Sequence, residues 1–110
     1  MKREDILHEA EKAICYERKN VYGGAEDCFE DIANLWAMYL GDDAVITRTD
    51  VAVMLILMKV ARAKANPLHM DSWVDICGYA AIAAELAEKE YGHIVEEDAI
   101  EKWCKEEEEL

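Results

Sequence analysis

The stretch VAVMLILMKVARAKANPLHMDSWVDICGY, residues 51–79, holds the longest apolar run of the chain and the turn that follows it. Eight successive apolar residues, Val51 to Met58, predict a central helix that is covered on nearly every side. Asn66-Pro67 ends this helix, because the residue before proline is pushed out of the helical region. The turn NPLHM is short, so we expect the next helix to be an antiparallel neighbour.

The remainder of the chain is also helical in pattern. A single Pro, few Gly and apolar residues repeated at i, i+3 and i+4 predict an all-α bundle of four to five helices. The predicted helices cover about 3–19, 25–40, 47–66, 70–91 and an acidic 97–109. We expect one domain over 1–110, with its core in about 3–91 and with the bundle completed by homo-oligomerisation.

Charge and cysteine usage exclude several classes of protein. With 25 acidic and 12 basic residues the net charge is −13, which argues against nucleic acid and anionic membranes as partners. The N-terminus has no apolar signal-peptide region, and eight apolar residues are too few to span a bilayer, which needs roughly 20. The four cysteines form no C-x-x-C pair, so we expect reduced thiols in a cytoplasmic protein.

Polar residues of opposite charge flank the turn. No Asp or Glu occurs between Val51 and Met70. On the helix before the turn, one face carries Lys59, Arg62 and Asn66, which are spaced i, i+3 and i+7. The helix after it carries, on one face at i, i+4 and i+8, Asp71, Asp75 and Tyr79. The two faces are expected to meet as a compact polar patch beside the turn.

This patch has two interpretations. Lys59 and Arg62 neutralise the two aspartates in a salt-bridge cluster, or they hold an anionic ligand. Buried charge pairs are an expensive way to stabilise a turn, but the spacing alone does not decide between the two interpretations. His69 is either a capping or surface residue or a ligand contact, and Tyr79 is either a core residue or a contact.

A metal site is a further alternative. Glu26 and Glu30 are spaced i, i+4 at the start of the second predicted helix, and with Asp71 and Asp75 they would offer Mg²⁺ four carboxylates. Acidic residues in the first turn of a helix are also expected from the helix dipole alone.

Fixed spacings along the chain carry a resemblance to a known family. These are Arg18…Tyr22-Gly23, Phe29-x-x-Ile32-Ala33-x-Leu35-Trp36, Tyr39-Leu40-Gly41, Asp50-Val51-Ala52, Lys59-x-Ala61-Arg62, Asn66-Pro67 and His69-x-Asp71-Ser72-Trp73-x-Asp75-Ile76-x-Gly78-Tyr79. Over residues 14–86 the pattern resembles a small family of phage and prophage proteins of unassigned function. Cys28 stands where that family is expected to have Asn.

The family in turn resembles the MazG-like all-α nucleotide pyrophosphohydrolases, which hold Mg²⁺ on paired carboxylate motifs from two helices and hydrolyse nucleoside triphosphates. Asp71-x-x-x-Asp75 resembles the second motif. Where the first motif has Glu-x-x-Glu, this chain has Lys59-x-x-Arg62, and cations hold phosphate but not metal.

We therefore expect a phage-encoded protein in the bacterial host cytoplasm that binds a phosphorylated nucleotide derivative and sequesters it, by analogy with phage proteins that sequester nucleotide immune signals. No cofactor is expected. The predicted ligand-binding residues are Arg18, Tyr22, Trp36, Lys59, Arg62, Asn66, His69, Asp71, Asp75 and Tyr79. One alternative is a Mg²⁺-dependent pyrophosphohydrolase using Asp71, Asp75 and Glu30. The other is a non-catalytic assembly adaptor.

Overall fold

The computed structural model describes residues 1–17, 23–41, 43–92 and 104–108, and these residues are helical with short connections. The helices are α1 (Arg3–Lys12), followed directly by a π-helical segment (Ala13–Glu17), α2 (Ala25–Leu40), α3 (Arg48–Ala65) and α4 (Met70–Tyr91). Residues 104–108 are helical too, and the described residues include no strand. The all-α prediction is confirmed.

The ends of α3 and α4 lie where local sequence signals place them. The Thr47 hydroxyl accepts a 3.0 Å hydrogen bond from the Asp50 amide, and the Asp50 carboxylate accepts one from the Thr47 amide, so the capping box is formed. Asn66 caps the C-terminus of α3, and α4 ends at Gly92. The turn between them is closed by the Trp73 indole, whose Nε1 donates to the Pro67 carbonyl at 2.9 Å.

The first predicted helix differs from the observed one. Its α-helical hydrogen bonding ends at Lys12, and the chain continues to Glu17 with the wider π-helical turn. The π-helical segment carries Ile14 to α4 at Gly78, where a Cβ on the glycine would lie 2.9 Å from the Ile14 Cγ2. The rest of the predicted range, residues 18 and 19, lies outside the described residues, as does most of the acidic helix predicted over 97–109.

The central helix is α4, not α3. It packs along α3 in the most extensive helix contact, and it also contacts α1 and the π-helical segment, while α2 packs on α3. The buried core joins α2, α3 and α4 and consists of Phe29, Ala33, Val51, Ala52, Tyr79, Ile82 and Leu86.

The prediction that residues 51–58 are covered on nearly every side is wrong for the single chain. Val51 and Ala52 are fully buried, but Val53, Met54 and Leu57 are exposed. The physical reason is that α2 and α4 cover one side of α3, and nothing among the described residues covers the other. Within the described residues, no helix is long and apolar enough to cross a membrane.

Candidate functional site

A cavity of about 400 Å³ lies beside the turn between α3 and α4. It is lined by Lys59, Arg62, Ala65, Asn66, His69, Asp71 and Ser72. Five of the ten predicted ligand-binding residues therefore line one cavity, at the place where the spacing arguments put a polar patch. Its volume lies in the range typical of small-molecule pockets, about 300–1,000 Å³.

Lys59 is held by an aspartate inside the bundle. Its Nζ lies 2.7 Å from the Asp75 Oδ2, and only 11% of the lysine side chain and 7% of the aspartate side chain are exposed. A close, buried pair of this kind has its charge neutralised within the protein. The salt-bridge interpretation thus describes Lys59 and Asp75, and Lys59 does not supply an uncompensated positive charge to the cavity.

Arg62 is in a different situation one turn further along α3. Its side chain is exposed, it lines the cavity, and it forms no ion pair with any of the residues that the structure describes. Asn66 and His69 lie on the rim, and Asp71 is the acidic residue in the first turn of α4. The spacing gave Lys59 and Arg62 equivalent positions on α3, but their surroundings in the structure differ. Both side chains line the cavity, but Arg62 is exposed to solvent, while Lys59 is nearly buried and its ammonium group pairs with Asp75.

The predicted aromatic contacts lie elsewhere. Tyr79 is buried in the core, where its ring lies 6.4 Å from that of Phe29 at an angle of 47°. Trp36 lines a separate apolar groove of about 200 Å³ together with Tyr39, Leu40, Ile46 and Met54. Neither ring lines the cavity at the turn, so the structure does not bring these stacking candidates to Arg62. The candidates Arg18 and Tyr22 fall outside the described residues.

The four carboxylates of the predicted Mg²⁺ site do not come together. Asp75 pairs with Lys59, and Glu30 is an exposed residue of α2. Glu26 accepts hydrogen bonds from Arg48 and from the Lys89 Nζ at 2.8 Å. The part of the chain that the structure describes contains no group of three or more metal-ligating side chains.

Glu26 instead belongs to an ion-pair network between α2, α3 and α4. The hydrogen bond from Lys89, with that from Arg48, holds the pKa of the Glu26 carboxyl below its ordinary value of 4.5. The hydrogen bond to Glu26 raises the pKa of Lys89 above 10.5. Arg48 also donates through Nε to the Glu90 Oε1 at 3.0 Å, and its pKa is raised by these two carboxylates. This cluster links the side chains of the three helices.

Sequence reasoning missed this network and the lining residue Ser72. The partners Glu26, Arg48 and Glu90 are far apart in the sequence, so no spacing rule brings them together. Ser72 directly follows Asp71 at the start of α4 and is 2% exposed. A small polar residue in the first turn of a helix is the one signal that would have indicated it.

The fold and the cavity define an all-α protein with a small polar site at one end of a helical hairpin. The proteins to which the chain is similar are encoded by phages. The chain is 42% identical over 86 residues to the Gene 55 protein of Mycobacterium phage D29, covering 78% of this chain and 56% of that protein. It is 43% identical over 81 residues to the Gene 55 protein of Mycobacterium phage L5, covering 74% and 51%. The chain thus spans about half the length of these curated relatives.

The chain belongs to the family described as a domain of unknown function, DUF6378, whose model matches residues 5–87. The predicted resemblance to a small phage family of unassigned function is confirmed by this match and by the two relatives. No solved structure matches the chain. The relation to MazG-like enzymes stays a prediction.

Proposed function

We propose that this protein binds a phosphorylated nucleotide derivative in the cavity beside the turn, with Arg62 as the residue that holds the phosphate. The observation that carries the proposal is an exposed arginine, in no ion pair within the described residues, on the wall of a cavity of about 400 Å³. A guanidinium matches phosphate with two parallel hydrogen bonds, which adds orientation as well as charge.

The local distribution of charge supports an anionic ligand in a strongly acidic protein. The net charge of −13 repels anions in general, but the segment from Val51 to Met70 carries no carboxylate. At the cavity, Arg62 supplies the positive charge and the backbone amides at the start of α4 point their positive dipole end toward the turn. Among the described residues that line the cavity, Asp71 is the only acidic one.

The polar rim suits the rest of a nucleotide. A carboxylate such as Asp71 accepts hydrogen bonds from ribose hydroxyls, whereas the Asn66 amide both donates and accepts, as base edges require. His69 adds a further donor next to the phosphate position. Lys59 lines the cavity too, but its charge is paired with Asp75. The proposal therefore gives Lys59 a structural role, unlike the sequence-based hypothesis.

Sequestration fits the cavity better than hydrolysis. A pyrophosphohydrolase of the MazG type needs a cluster of carboxylates for Mg²⁺, and the described residues offer none. We accordingly place binding without turnover first, in the cytoplasm of the infected host. In a bacterial defence system that signals through nucleotides, tight binding of the signal would be enough to block the response.

The test is to incubate the purified protein with a panel of nucleotides, cyclic dinucleotides and ADP-ribose derivatives in the presence of Mg²⁺. Bound and released molecules are then identified by mass spectrometry after removal of unbound ligand and denaturation. Recovery of an intact ligand from the protein supports sequestration. Recovery of a monophosphate and pyrophosphate supports the hydrolase, and recovery of neither supports an assembly adaptor.

The residue assignment is tested separately. For any ligand retained, Arg62→Ala should weaken binding at least tenfold, about 1.4 kcal/mol, with unchanged far-UV circular dichroism. Arg3→Ala is the matched control, because Arg3 is an exposed arginine on α1, outside the cavity lining. Equal retention by Arg62→Ala and the wild type would contradict the assignment.

A further inference from the structure

The exposed side of α3 is apolar over two and a half turns. Side chains at intervals of three and four residues share a face of a helix, and here the face carries Val53, Met54, Leu57, Val60 and Ala61. All five are exposed, Leu57 to 62%. No charged residue interrupts this face, which we call the α3 face.

The apolar surface extends onto the end of α2. Met54 shares the apolar groove with Tyr39 and Leu40, and Tyr39 is 90% exposed. Leu40 and Met58 are exposed as well, to 64% and 38%. An exposed apolar surface that spans two helices is typical of a protein–protein interface.

Charges of opposite sign close the two ends of the α3 face. Asp50 lies seven residues before Leu57 and Lys64 lies seven residues after it, both exposed and both on the same side of the helix. Two parallel copies of α3 would place Asp50 on Asp50 and Lys64 on Lys64. Two antiparallel copies related by a two-fold axis at Leu57 would place each Asp50 beside the Lys64 of the other copy.

We propose that the α3 face is the interface of a symmetric homodimer in which two copies of α3 pack antiparallel across a two-fold axis at Leu57. In this register Val53 faces Ala61 and Met54 faces Val60, so all contacts inside the charged ends are apolar. The interface is isologous, as in most homodimers, because one self-complementary surface serves both copies. This inference is independent of the proposed nucleotide binding.

Sedimentation equilibrium of the full chain tests the dimer. The expected mass is twice the 12.5 kDa of the chain, and Leu57→Glu should convert it to a monomer that keeps its helical circular dichroism, since Leu57 has no role in the core of one copy. Leu7→Glu is the matched control, because Leu7 is 61% exposed on α1, which is not among the helices that pack on α3. This control should remain dimeric.

A monomeric wild type at 100 µM, or a Leu57→Glu variant that associates as the wild type does, would overturn the proposal. Should Leu57→Glu fail to fold, Lys64→Glu provides a milder change. This change places the new carboxylate at position 64 beside Asp50 of the other copy, at both ends of the interface. The dissociation constant of the dimer should then rise at least tenfold. An unchanged dissociation constant would overturn the pairing of Lys64 with Asp50.

Disulfide trapping tests the register. The axis brings the two copies of residue 57 together, whereas the two copies of residue 53 are separated along the helix by about 12 Å at 1.5 Å per residue, too far for a disulfide. Under mild oxidation Leu57→Cys should give a 57–57 peptide by mass spectrometry, and Val53→Cys should give no 53–53 peptide. Equal trapping at both positions would overturn the antiparallel register.

Discussion

The buried pair formed by Lys59 and Asp75 should dominate the stability effects of charge removal in this protein. Asp75→Asn leaves an uncompensated ammonium in a position where the lysine side chain is 11% exposed. Removing one partner of a buried ion pair typically costs about 3–5 kcal/mol. A domain of this size has a total free energy of unfolding of about 5–15 kcal/mol, so the loss is a large part of it.

Replacing both partners at once should be far less harmful. The double variant Lys59→Met/Asp75→Leu fills the same space with apolar groups, and such replacements of a buried ion pair are often neutral or stabilising by about 1–4 kcal/mol. Because Asp75 has a further interaction that its replacement removes, we expect the double variant to be less stable than the wild type but more stable than Asp75→Asn. The changes in the free energy of unfolding caused by the two single substitutions therefore should not add up to the change caused by the double substitution. The coupling between the two positions is expected to exceed about 3 kcal/mol.

Urea unfolding followed by circular dichroism at 222 nm measures these differences. With a slope of about 2 kcal/mol per molar urea, Asp75→Asn should lower the midpoint by roughly 2 M. The matched controls are Asp71→Asn and Arg62→Met, exposed neighbours that should change stability by no more than about 0.5 kcal/mol. A loss below about 1 kcal/mol for Asp75→Asn, or additive single and double variants, would refute the assignment of a buried structural pair.

Three further outcomes follow from local features. Because the pKa of Glu26 is lowered in the folded protein, its contribution to the free energy of unfolding is complete above pH 4.5 and is lost as the pH falls through the folded pKa. The difference in urea midpoint between the wild type and Glu26→Gln should therefore shrink below pH 4.5. The pKa of Lys89 is raised, so its contribution to stability should be lost only as the pH rises beyond 10.5. Gly78→Ala should not give the gain of about 1 kcal/mol usual inside helices, because the new methyl group meets the Ile14 Cγ2. In an Ile14→Ala background, which removes that methyl group, Gly78→Ala should raise the melting temperature. Thr47→Ala removes the side-chain acceptor for the third amide of α3 and should cost about 1 kcal/mol, and an unchanged melting temperature would contradict that role.

The helical hairpin was predictable because its determinants are local. The capping box at Thr47 and the Asn66-Pro67 end of α3 act within a few residues, so they operate in any tertiary context. The π-helical turn at Ala13–Glu17 was not predictable, because the contact between Ile14 and Gly78 joins distant parts of the chain.

The candidate site was predictable as a location but not as an arrangement of charges. Spacing along two helices placed Arg62, Asn66, His69 and Asp71 at one end of the hairpin, and all four line the cavity. Spacing did not distinguish Arg62 from Lys59, since both lie on the same side of α3.

The sequence by itself determined an acidic all-α chain, the two ends of α3 and the polar turn, because these depend on composition and on interactions within a few residues. Only the tertiary structure decided that Lys59 pairs with Asp75, that Tyr79 belongs to the core and that one side of α3 stays exposed. Those outcomes depend on the rotation of each helix against its neighbours, which is set by the packing of the whole core and is encoded in no single segment.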